Sequence, residues 1–444
     1  MYFVYTLLGL VYCVALVPKF VYEALRHRKY IGGLGERLGY LPVSFNVDGE
    51  RSVWIHAVSV GEVLTARSIM DDLRRLYPGL RLFVSTTTVA GQQVARSSVP
   101  AADAVFYFPL DLPFIVRRVF RLARPSLFIM METEIWPNLL RAARARGVRT
   151  LLVNGRISSR SYPRYRLVRR WFRRVLADVD HCLVQSEATR DRLVDLGADP
   201  SRITVTGSLK FDSLPAATGQ GARRADRVLR FFRTAAGRPV IVAGSTLRGE
   251  ESILLSLFER IRATRPSALM VIAPRHPERF GEVERLARDA GFDTTRRSDL
   301  VIDSEPTAEV VILDTIGELA SLYQVATVVF VGGSLVTAGG HNILEPAAHG
   351  KPVVFGPHME NFSEIAEAFL SKKAAVQVRD GEELEAAVNG LLDDEAERER
   401  LGRAALAVVE SNRGARDRTL EVIERLMPPE SVNAAGAPQL RLVR

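Results

Sequence analysis

Apolar segments of strand length alternate with longer helical patterns along most of the chain. In the first half they lie near 53–56, 82–86, 104–108, 127–131, 150–153, 181–185 and 204–207, and in the second half near 240–243, 269–273, 310–313, 328–331, 353–355 and 374–378. Parallel strands need a helical crossover between them, so this alternation predicts parallel α/β architecture. Because 444 residues exceed one ordinary core, we predict two doubly wound halves facing a cleft, with ligands at the carboxyl ends of the strands.

The predicted domain boundaries follow changes in composition. Residues 1–22 are expected to form an apolar membrane anchor, and residues 23–212 a first Rossmann-like domain. Residues 213–237 are richer in Ala, Gly, Arg and Thr and form the expected linker to a second Rossmann-like domain at 238–427. The tail at 428–444 is expected to be disordered.

The N-terminal segment from Tyr2 to Val17 contains no charged residue and is followed by Lys19 and further basic residues. A secretory signal peptide has the opposite order, with its basic residues first. The segment is slightly shorter than the roughly 20 residues that span a bilayer. We therefore expect a tilted anchor or an interfacial helix, with the main body on the cytoplasmic side. A buried core helix is the alternative.

Positive charge is concentrated in one part of the chain, whose net charge is +9. Between Pro137 and Ala177 there are twelve arginines and no acidic residue. Such a segment is typical of a surface that binds phosphates or an anionic membrane. Nucleic acid is a further candidate, but no nucleic-acid motif accompanies the arginines. A solvated basic face is the alternative interpretation.

Two cysteines and seven scattered histidines limit the chemistry of the chain. Cys13 and Cys182 provide no disulfide framework, which favours a reducing compartment. The sequence has no HExxH pattern and no paired Cys–His spacing, so we expect no built-in metal site. P-loop and GxSxG motifs are also missing from the sequence.

The segment Val328–Phe362 reads as a strand, a glycine-rich turn, a helix and a second strand. Asn342 can cap the helix, whose free N–H groups favour a phosphate. Glu345, one turn further, suits the hydroxyls of a ribose. A sugar linked to a nucleotide fits these groups, whereas an ordinary α/β crossover with a capped helix is the alternative.

Three turns share one spacing, a capping residue followed three positions later by glutamate: Ser59 and Glu62, Thr315 and Glu318, Asn342 and Glu345. This is also the spacing of a capping box, so a structural role stays open for each glutamate. All three follow a predicted strand, which places them at the lip of the expected cleft.

Further charged residues follow predicted strands in both halves of the chain. Glu132 and Glu134 are two apart, so in a strand they would share a face, or one of them could cap the next helix. Lys210 follows another predicted strand, and Arg275 follows a strand of the second half; both cations suit an anionic ligand.

Five segments, in order along the chain, resemble motifs of the 3-deoxy-D-manno-octulosonic acid (Kdo) transferases. They are His56–Glu62, Met131–Asn138, Gly207–Asp212, Pro274–Phe280 and Val328–Phe362. The element Gly35–Gly39 and the N-terminal apolar segment add to the resemblance. The C-terminal helices are less distinctive.

The resemblance implies a GT-B glycosyltransferase at the cytoplasmic face of the inner membrane of a Gram-negative bacterium. It implies inverting transfer of Kdo from CMP-Kdo to a phosphorylated lipid A precursor in lipopolysaccharide biosynthesis, without a metal or other cofactor. The first domain would then bind the acceptor and the second the donor, with inner-membrane lipids and no nucleic acid as partners.

The same resemblance implies roles for particular residues. Glu62 would be the general base, and Glu132 and Lys210 would stabilise the transition state. The segments implied to contact CMP are Pro274-Arg275, Ile316-Gly317-Glu318 and Asn342-Ile343-Leu344-Glu345.

Two rival functions stay open from the sequence. A nucleotide-sugar epimerase of the same architecture would act on a soluble substrate, without need of an apolar N-terminus. A non-enzymatic binder of anionic membranes or RNA would fit the basic pI, but it would leave Glu62 and Glu132 without a role.

Overall fold

The computed structural model describes residues 2–27, 33–46, 48–158, 161–212, 226–235 and 237–427. The chain divides into two compact units: Met1–Ser213 with Arg413–Arg444, and Leu214–Asn412. Most of the predicted linker and the whole predicted tail at 428–444 lie outside the described residues. Each unit is built on a parallel sheet, which confirms the predicted pair of doubly wound halves.

In the described part of the first unit, seven parallel strands form a sheet in the order β3-β2-β1-β4-β5-β6-β7. The strands are β1 (Ser52–His56), β2 (Arg81–Thr86), β3 (Ala104–Tyr107), β4 (Pro125–Met131), β5 (Arg149–Gly155), β6 (His181–Val184) and β7 (Ile203–Val205). The helices of this part are α1 (Tyr2–His27), α2 (Leu34–Arg37), α3 (Val60–Leu76), α4 (Val89–Ser98), α5 (Pro113–Ala123), α6 (Pro137–Arg144), α7 (Tyr162–Leu167), α8 (Arg169–Leu176) and α9 (Glu187–Asp195).

Helices cover both faces of this sheet, which explains why its central strands read as continuous apolar runs. Every residue of β1 and β4 is buried. On one face Ile69 and Leu73 of α3 pack in the same cluster as Val53. On the other face Trp54 is fully buried among side chains of α5 and α6. The ends of β1 and β4 are thereby fixed in the core of the unit.

The described part of the second unit also contains seven parallel strands, in the order β10-β11-β9-β8-β12-β13-β14. They are β8 (Val240–Thr246), β9 (Leu269–Pro274), β10 (Thr294–Arg296), β11 (Val310–Ile312), β12 (Val328–Val331), β13 (Val353–Phe355) and β14 (Val376–Gln377). The helices are α10 (226–229), α11 (Glu250–Thr264), α12 (Phe280–Asp289), α13 (Leu319–Leu322), α14 (Leu344–Ala348), α15 (Ser363–Ser371), α16 (Gly381–Asp393) and α17 (Glu395–Ser411). The short edge strand β10 was not predicted, because its Thr-Thr-Arg sequence carries no apolar run.

The last helix, α18 (Ala415–Leu426), packs in the first unit. The sequence prediction placed it in the second domain, at 238–427. Leu420 and Ile423 lie in the same apolar cluster as α3, and the guanidinium of Arg416 is bound by the carboxylate of Asp72. The periodicity of an amphipathic helix shows that one face is buried, but not which sheet it packs against. The sequence pattern could therefore not assign α18 to a unit.

The N-terminal helix α1 is held on the first unit by polar contacts. The hydroxyl of Tyr2 donates to Asp178 (2.8 Å), and that of Tyr5 donates to Asp111 (3.0 Å). Asn138, in the first turn of α6, donates to the hydroxyl of Thr6 (3.0 Å). None of the helices in the described residues is long and apolar enough to cross a membrane.

Candidate active site

The strand order of the first sheet reverses between β1 and β4, because β2 and β3 lie on one side and β5 to β7 on the other. In open parallel sheets, the crevice beyond the carboxyl ends of the strands at such a point is the usual ligand site. The turn after β1 leads to Glu62, and β4 runs directly into Glu132. The predicted acids of the first unit therefore lie at its topological switch point.

Glu62 lies in the first turn of α3 and takes part in a capping arrangement. Ser59 is the N-cap residue, and its hydroxyl accepts from the N–H of Glu62 (3.4 Å). In return the Glu62 carboxylate accepts from the Ser59 hydroxyl (2.9 Å) and from the N–H of Val58 (2.9 Å). Ser59 thus caps the helix as the spacing predicts, and the Glu62 carboxylate binds back to the N–H of Val58, the residue before the N-cap. These bonds fix the carboxylate next to the carboxyl end of β1.

The environment of Glu62 makes it a stronger base than an exposed glutamate. Only 9% of the residue is exposed. Burial is the largest cause that raises its pKa from 4.5 to about 7, and the charges of Glu132 and Glu134 raise it further, against the hydrogen bonds from Val58 and Ser59 that lower it. A carboxylate with this pKa is matched to accepting a proton near neutral pH.

Glu132 and Lys210 form a pair at the same edge of the sheet. The Lys210 ammonium lies 3.8 Å from the Glu132 carboxylate. Glu132 has a φ of +54°, an unusual backbone conformation for this residue type. Its N–H donates to the carbonyl of Val153 (2.9 Å), while the amide oxygen of Asn154 accepts from the N–H of Leu209 next to Lys210 (3.0 Å). The last residues of β5 therefore fix both members of the pair.

Glu134 does not continue the strand, contrary to the expectation that it shares a face with Glu132. β4 ends at Met131 and the chain turns, so the two-residue period of a strand does not apply. The Glu134 carboxylate accepts from the indole N–H of Trp136 (3.1 Å) and lies 3.8 Å from Nε2 of His56. It does not cap α6, whose first N–H groups donate to Asp111 instead.

His56 was not among the predicted site residues, although it opens the first motif. It is fully buried, its ring stacks on Phe108 (3.8 Å between centroids), and its Nδ1 lies 3.0 Å from the Ser85 hydroxyl. Its position as the last residue of β1, at the switch point, is the signal that could have identified it.

The second sheet reverses its order between β8 and β12. The glycine-rich turn after β12 is therefore at the switch point of this sheet. Arg275, which follows β9, is exposed, and its N–H donates to the carbonyl of Thr246 at the end of β8 (3.0 Å). Burial lowers the pKa of His341 to about 4, with help from the charge of Arg275. His341 is therefore neutral at neutral pH.

Asn342 and Glu345 are joined by their side chains at the start of α14. The Asn342 amide N–H donates to the Glu345 carboxylate (3.1 Å), and its oxygen accepts from the N–H of Leu344 (3.1 Å). The helix begins at Leu344, one residue later than the predicted cap at Asn342 would place it. Ile343 and Leu344 are fully buried. Burial raises the pKa of Glu345, whereas Asn342 and Arg275 lower it.

Glu318 is bound by groups of its own unit. Its carboxylate accepts from the Thr315 hydroxyl (2.7 Å) and pairs with the buried guanidinium of Arg297 (2.9 Å). Ile316 is 77% exposed, and Gly317 has a φ of +82° that favours glycine. The turn 315–318 thus combines an internally paired glutamate with an exposed apolar side chain.

Each unit of the chain is similar to a known protein family. A model described as 3-deoxy-D-manno-octulosonic-acid transferase (kdotransferase) matches residues 32–213, and one described as glycosyl transferases group 1 matches residues 250–408. The 3-deoxy-D-manno-octulosonic acid transferase of Haemophilus influenzae is 34% identical over 424 residues, covering 95% of this chain and 98% of that protein. That of Bordetella pertussis is 35% identical over 415 residues, covering 90% and 94%. The chain belongs to the 3-deoxy-D-manno-octulosonic acid transferase family.

As a member of this family, the chain is a glycosyltransferase. The UDP-GlcNAc 2-epimerase of Neisseria meningitidis, solved with UDP-GlcNAc, is similar in fold, with a TM-score of 0.58. It is 14% identical and covers 84% of this chain and 100% of that chain. A similarity at this identity shows the GT-B-like fold alone, so the epimerase alternative is not favoured over membership of the family.

The structure thus groups the predicted residues of this family member into two sets. Glu62, Glu132 and Lys210 lie together in the first unit. Arg275, Asn342 and Glu345 interact in the second unit, where Pro274 ends β9. Glu318 is held by Arg297.

The arginine-rich segment is partly neutralised. Arg144 pairs with Asp178 (2.8 Å), and Arg149 pairs with Asp180 (3.1 Å). Arg141 lies over the ring of Tyr2 in α1 (4.6 Å). The segment therefore supports α1 as well as presenting positive charge. Among the described residues, no group of three or more His, Cys, Asp or Glu side chains is arranged to hold a metal ion.

Proposed function

We propose that this chain transfers Kdo from CMP-Kdo to a hydroxyl group of a phosphorylated lipid A precursor, in lipopolysaccharide biosynthesis. Family membership supports the class of reaction. The observation that carries the site assignment is the buried Glu62 carboxylate, whose pKa is raised to about 7 at the switch point of the first sheet. A base of this kind suits deprotonation of an acceptor hydroxyl at neutral pH.

In the proposed reaction, the acceptor oxygen attacks the anomeric carbon of Kdo while its proton passes to Glu62. The bond between that carbon and the phosphate oxygen breaks, and its electron pair leaves with CMP. Direct displacement inverts the anomeric centre. Glu132 and Lys210, 3.8 Å apart, stabilise charge that develops in the transition state.

Donor binding is proposed for the second unit. The exposed guanidinium of Arg275 suits the CMP phosphate, to which it can offer two parallel N–H groups. The Glu345 carboxylate, oriented by Asn342 (3.1 Å), suits the ribose hydroxyls. Pro274, Ile316, Gly317, Glu318, Ile343 and Leu344 complete the proposed contact segments. Because the Arg275 guanidinium can neutralise the CMP phosphate, we propose that transfer needs no metal.

We further propose that α1 lies on the cytoplasmic face of the inner membrane. Its inward face is narrow and contacts the unit through Tyr2, Tyr5 and Thr6. Its outward face is apolar and exposed, and it consists of Phe3, Val4, Leu7, Leu8, Leu10, Val11, Tyr12 and Val14. A helix whose apolar face points away from its own domain fits the acyl boundary of a bilayer, and nearby arginines suit anionic headgroups.

Vesicle binding tests the membrane proposal. The double variant Leu7→Ser with Val11→Ser should lose co-sedimentation with vesicles of phosphatidylethanolamine and phosphatidylglycerol, while the exposed-site variant Val301→Ser should bind as the parent does. Equal binding by all three proteins would contradict an interfacial role for α1.

The function itself is tested by incubating the purified protein with CMP-Kdo and a tetra-acylated lipid A precursor, followed by mass spectrometry. We expect lipid products heavier by one or more Kdo residues. Conversion of a soluble nucleotide sugar in the absence of lipid, with no lipid product, would favour the epimerase alternative.

A further inference from the structure

Glu250 and Glu251 begin helix α11 at the switch point of the second sheet, and neither belongs to the proposed donor contacts. Both are almost completely buried, with 0% and 1% of their surface exposed. A buried carboxylate is costly unless it is well hydrogen bonded. Each of the two is bonded to a different loop of the unit.

The Glu250 carboxylate lies in a ring of four backbone N–H groups. One oxygen accepts from Leu247 (2.9 Å) and Gly333 (2.7 Å), and the other accepts from Ser334 and Leu335 (3.0 Å each). Successive N–H groups of this kind form a nest, which in other proteins binds phosphate or another anion. Here a side chain of the protein fills the nest, so these N–H groups are engaged and the donor phosphate has to bind elsewhere.

The turn held by Glu250 fixes the next part of the glycine-rich segment. The carbonyl of Gly333 accepts from the N–H of Gly340 (2.8 Å), and a Cβ atom at Gly333 would lie 2.8 Å from the His341 ring. The Ser334 hydroxyl accepts from the N–H of Gly356 after β13 (2.8 Å). The position of the turn therefore determines where His341, and the adjoining Asn342, are placed.

Glu251 holds the loop that carries Arg275. Its carboxylate accepts from both terminal nitrogens of the Arg279 guanidinium (2.6 and 3.2 Å) and from the Thr246 hydroxyl (3.0 Å). Arg279 is itself 9% exposed. It lies four residues after Arg275, at the far end of the segment Pro274–Phe280.

We propose that Glu250 and Glu251 are positioning residues of the donor site. Glu250 fixes the segment that ends in Asn342 and Glu345 by filling its amide nest, and Glu251 fixes the Arg275 loop through Arg279. The identity of the donor rests on the proposed function, whereas the positioning role can be measured without any ligand.

Hydrogen exchange provides the ligand-independent test. Glu250→Gln replaces one acceptor oxygen by an NH2 group, which would face backbone N–H groups. We expect amide exchange in peptides covering 333–342 to become about tenfold faster or more, because bonds to a charged acceptor are lost. The control variant Glu259→Gln, on the exposed face of the same helix, should exchange as the parent does. Unchanged exchange in Glu250→Gln would overturn the proposal.

Calorimetry with CMP then tests the consequence for the donor site. Glu250→Gln and Glu251→Gln should each weaken CMP binding about tenfold or more, with KM for the lipid acceptor unchanged. A lower Tm with unchanged CMP affinity would show a merely structural role. If the parent protein bound no CMP, the proposed function would fail, and the exchange result would still decide the positioning role.

Should Glu250→Gln not fold, Glu250→Asp keeps the charge on a shorter side chain and should show both effects to a smaller degree.

Discussion

Replacing Glu62 by Gln should make the first unit more stable at neutral pH while removing its proposed base. Glutamine has nearly the shape of a protonated glutamate, and it can keep both bonds of the capping arrangement. Its amide oxygen can accept from Val58, and its NH2 group can donate to Ser59. The substitution therefore removes the buried charge and leaves the packing around it in place.

The size of the effect follows from the pKa of Glu62, which is raised from 4.5 to about 7. A raised pKa means that the folded protein binds the proton more tightly than the unfolded chain does. The corresponding stability is fully present below pH 4.5 and is lost as the pH rises through 7. Each pKa unit corresponds to about 1.4 kcal/mol, so the parent protein should lose about 3 kcal/mol relative to the variant by pH 8.

Tryptophan fluorescence allows this difference to be measured in the first unit alone. The three tryptophans, Trp54, Trp136 and Trp171, all belong to it. Urea unfolding followed by fluorescence should give equal free energies of unfolding for the parent and Glu62→Gln near pH 4. At pH 8 the variant should be more stable by about 3 kcal/mol.

The control is Asp71→Asn on the same helix, where the carboxylate is exposed and pairs with Arg67 (3.5 Å). It should change stability by no more than about 0.5 kcal/mol at either pH. If Glu62→Gln were equally or less stable than the parent at pH 8, the reasoning that burial raises the pKa of Glu62 would be refuted.

Three further substitutions test other parts of the account. Lys210→Met should lower kcat by about 100-fold or more, because a cation near the transition state is lost, with CMP affinity retained in calorimetry. Arg275→Ala should raise KM for the donor about tenfold or more, and the pKa of His341 should rise in an NMR titration because a neighbouring positive charge is removed. Asp72→Asn should weaken the contact between α3 and α18 through Arg416. It should lower the free energy of unfolding, followed by fluorescence, by about 2 kcal/mol.

Matched controls separate these effects from general loss of charge. Lys372→Met and Arg403→Ala change exposed cations away from the proposed contacts, and both should leave kinetics as in the parent. Normal turnover by Lys210→Met, an unchanged donor KM for Arg275→Ala, or unaltered unfolding of Asp72→Asn would each contradict the role given to that residue.

The sequence predicted most of the strands because each central strand is buried on both faces and reads as an apolar run. It did not predict β10 (Thr294–Arg296), an edge strand without such a run. It also assigned α18 to the wrong unit, since the helix pattern of Leu420 and Ile423 fits either sheet. The amphipathic pattern of a helix indicates that one face is buried, but it does not indicate which surface that face packs against.

The sequence predicted those features of the candidate site that depend on residues close together in the chain. The spacing of Ser59 and Glu62 indicated both a cap and a carboxylate at the end of β1, and the structure contains both. The raised pKa of Glu62 depends on burial and on Glu132, which is distant in sequence. Likewise the four N–H groups around Glu250 come from two separate loops. Such tertiary arrangements leave no periodic signal in the sequence.

The pH dependence of transfer tests the central claim most directly. For the parent protein, kcat/KM for CMP-Kdo should rise with pH through an apparent pKa of about 7, as Glu62 loses its proton. In Glu62→Gln, kcat/KM should fall by about 100-fold or more, and the dependence on this ionisation should disappear. A parent profile that is flat between about pH 5 and 9, or a Glu62→Gln variant with near-normal turnover, would contradict Glu62 as the base.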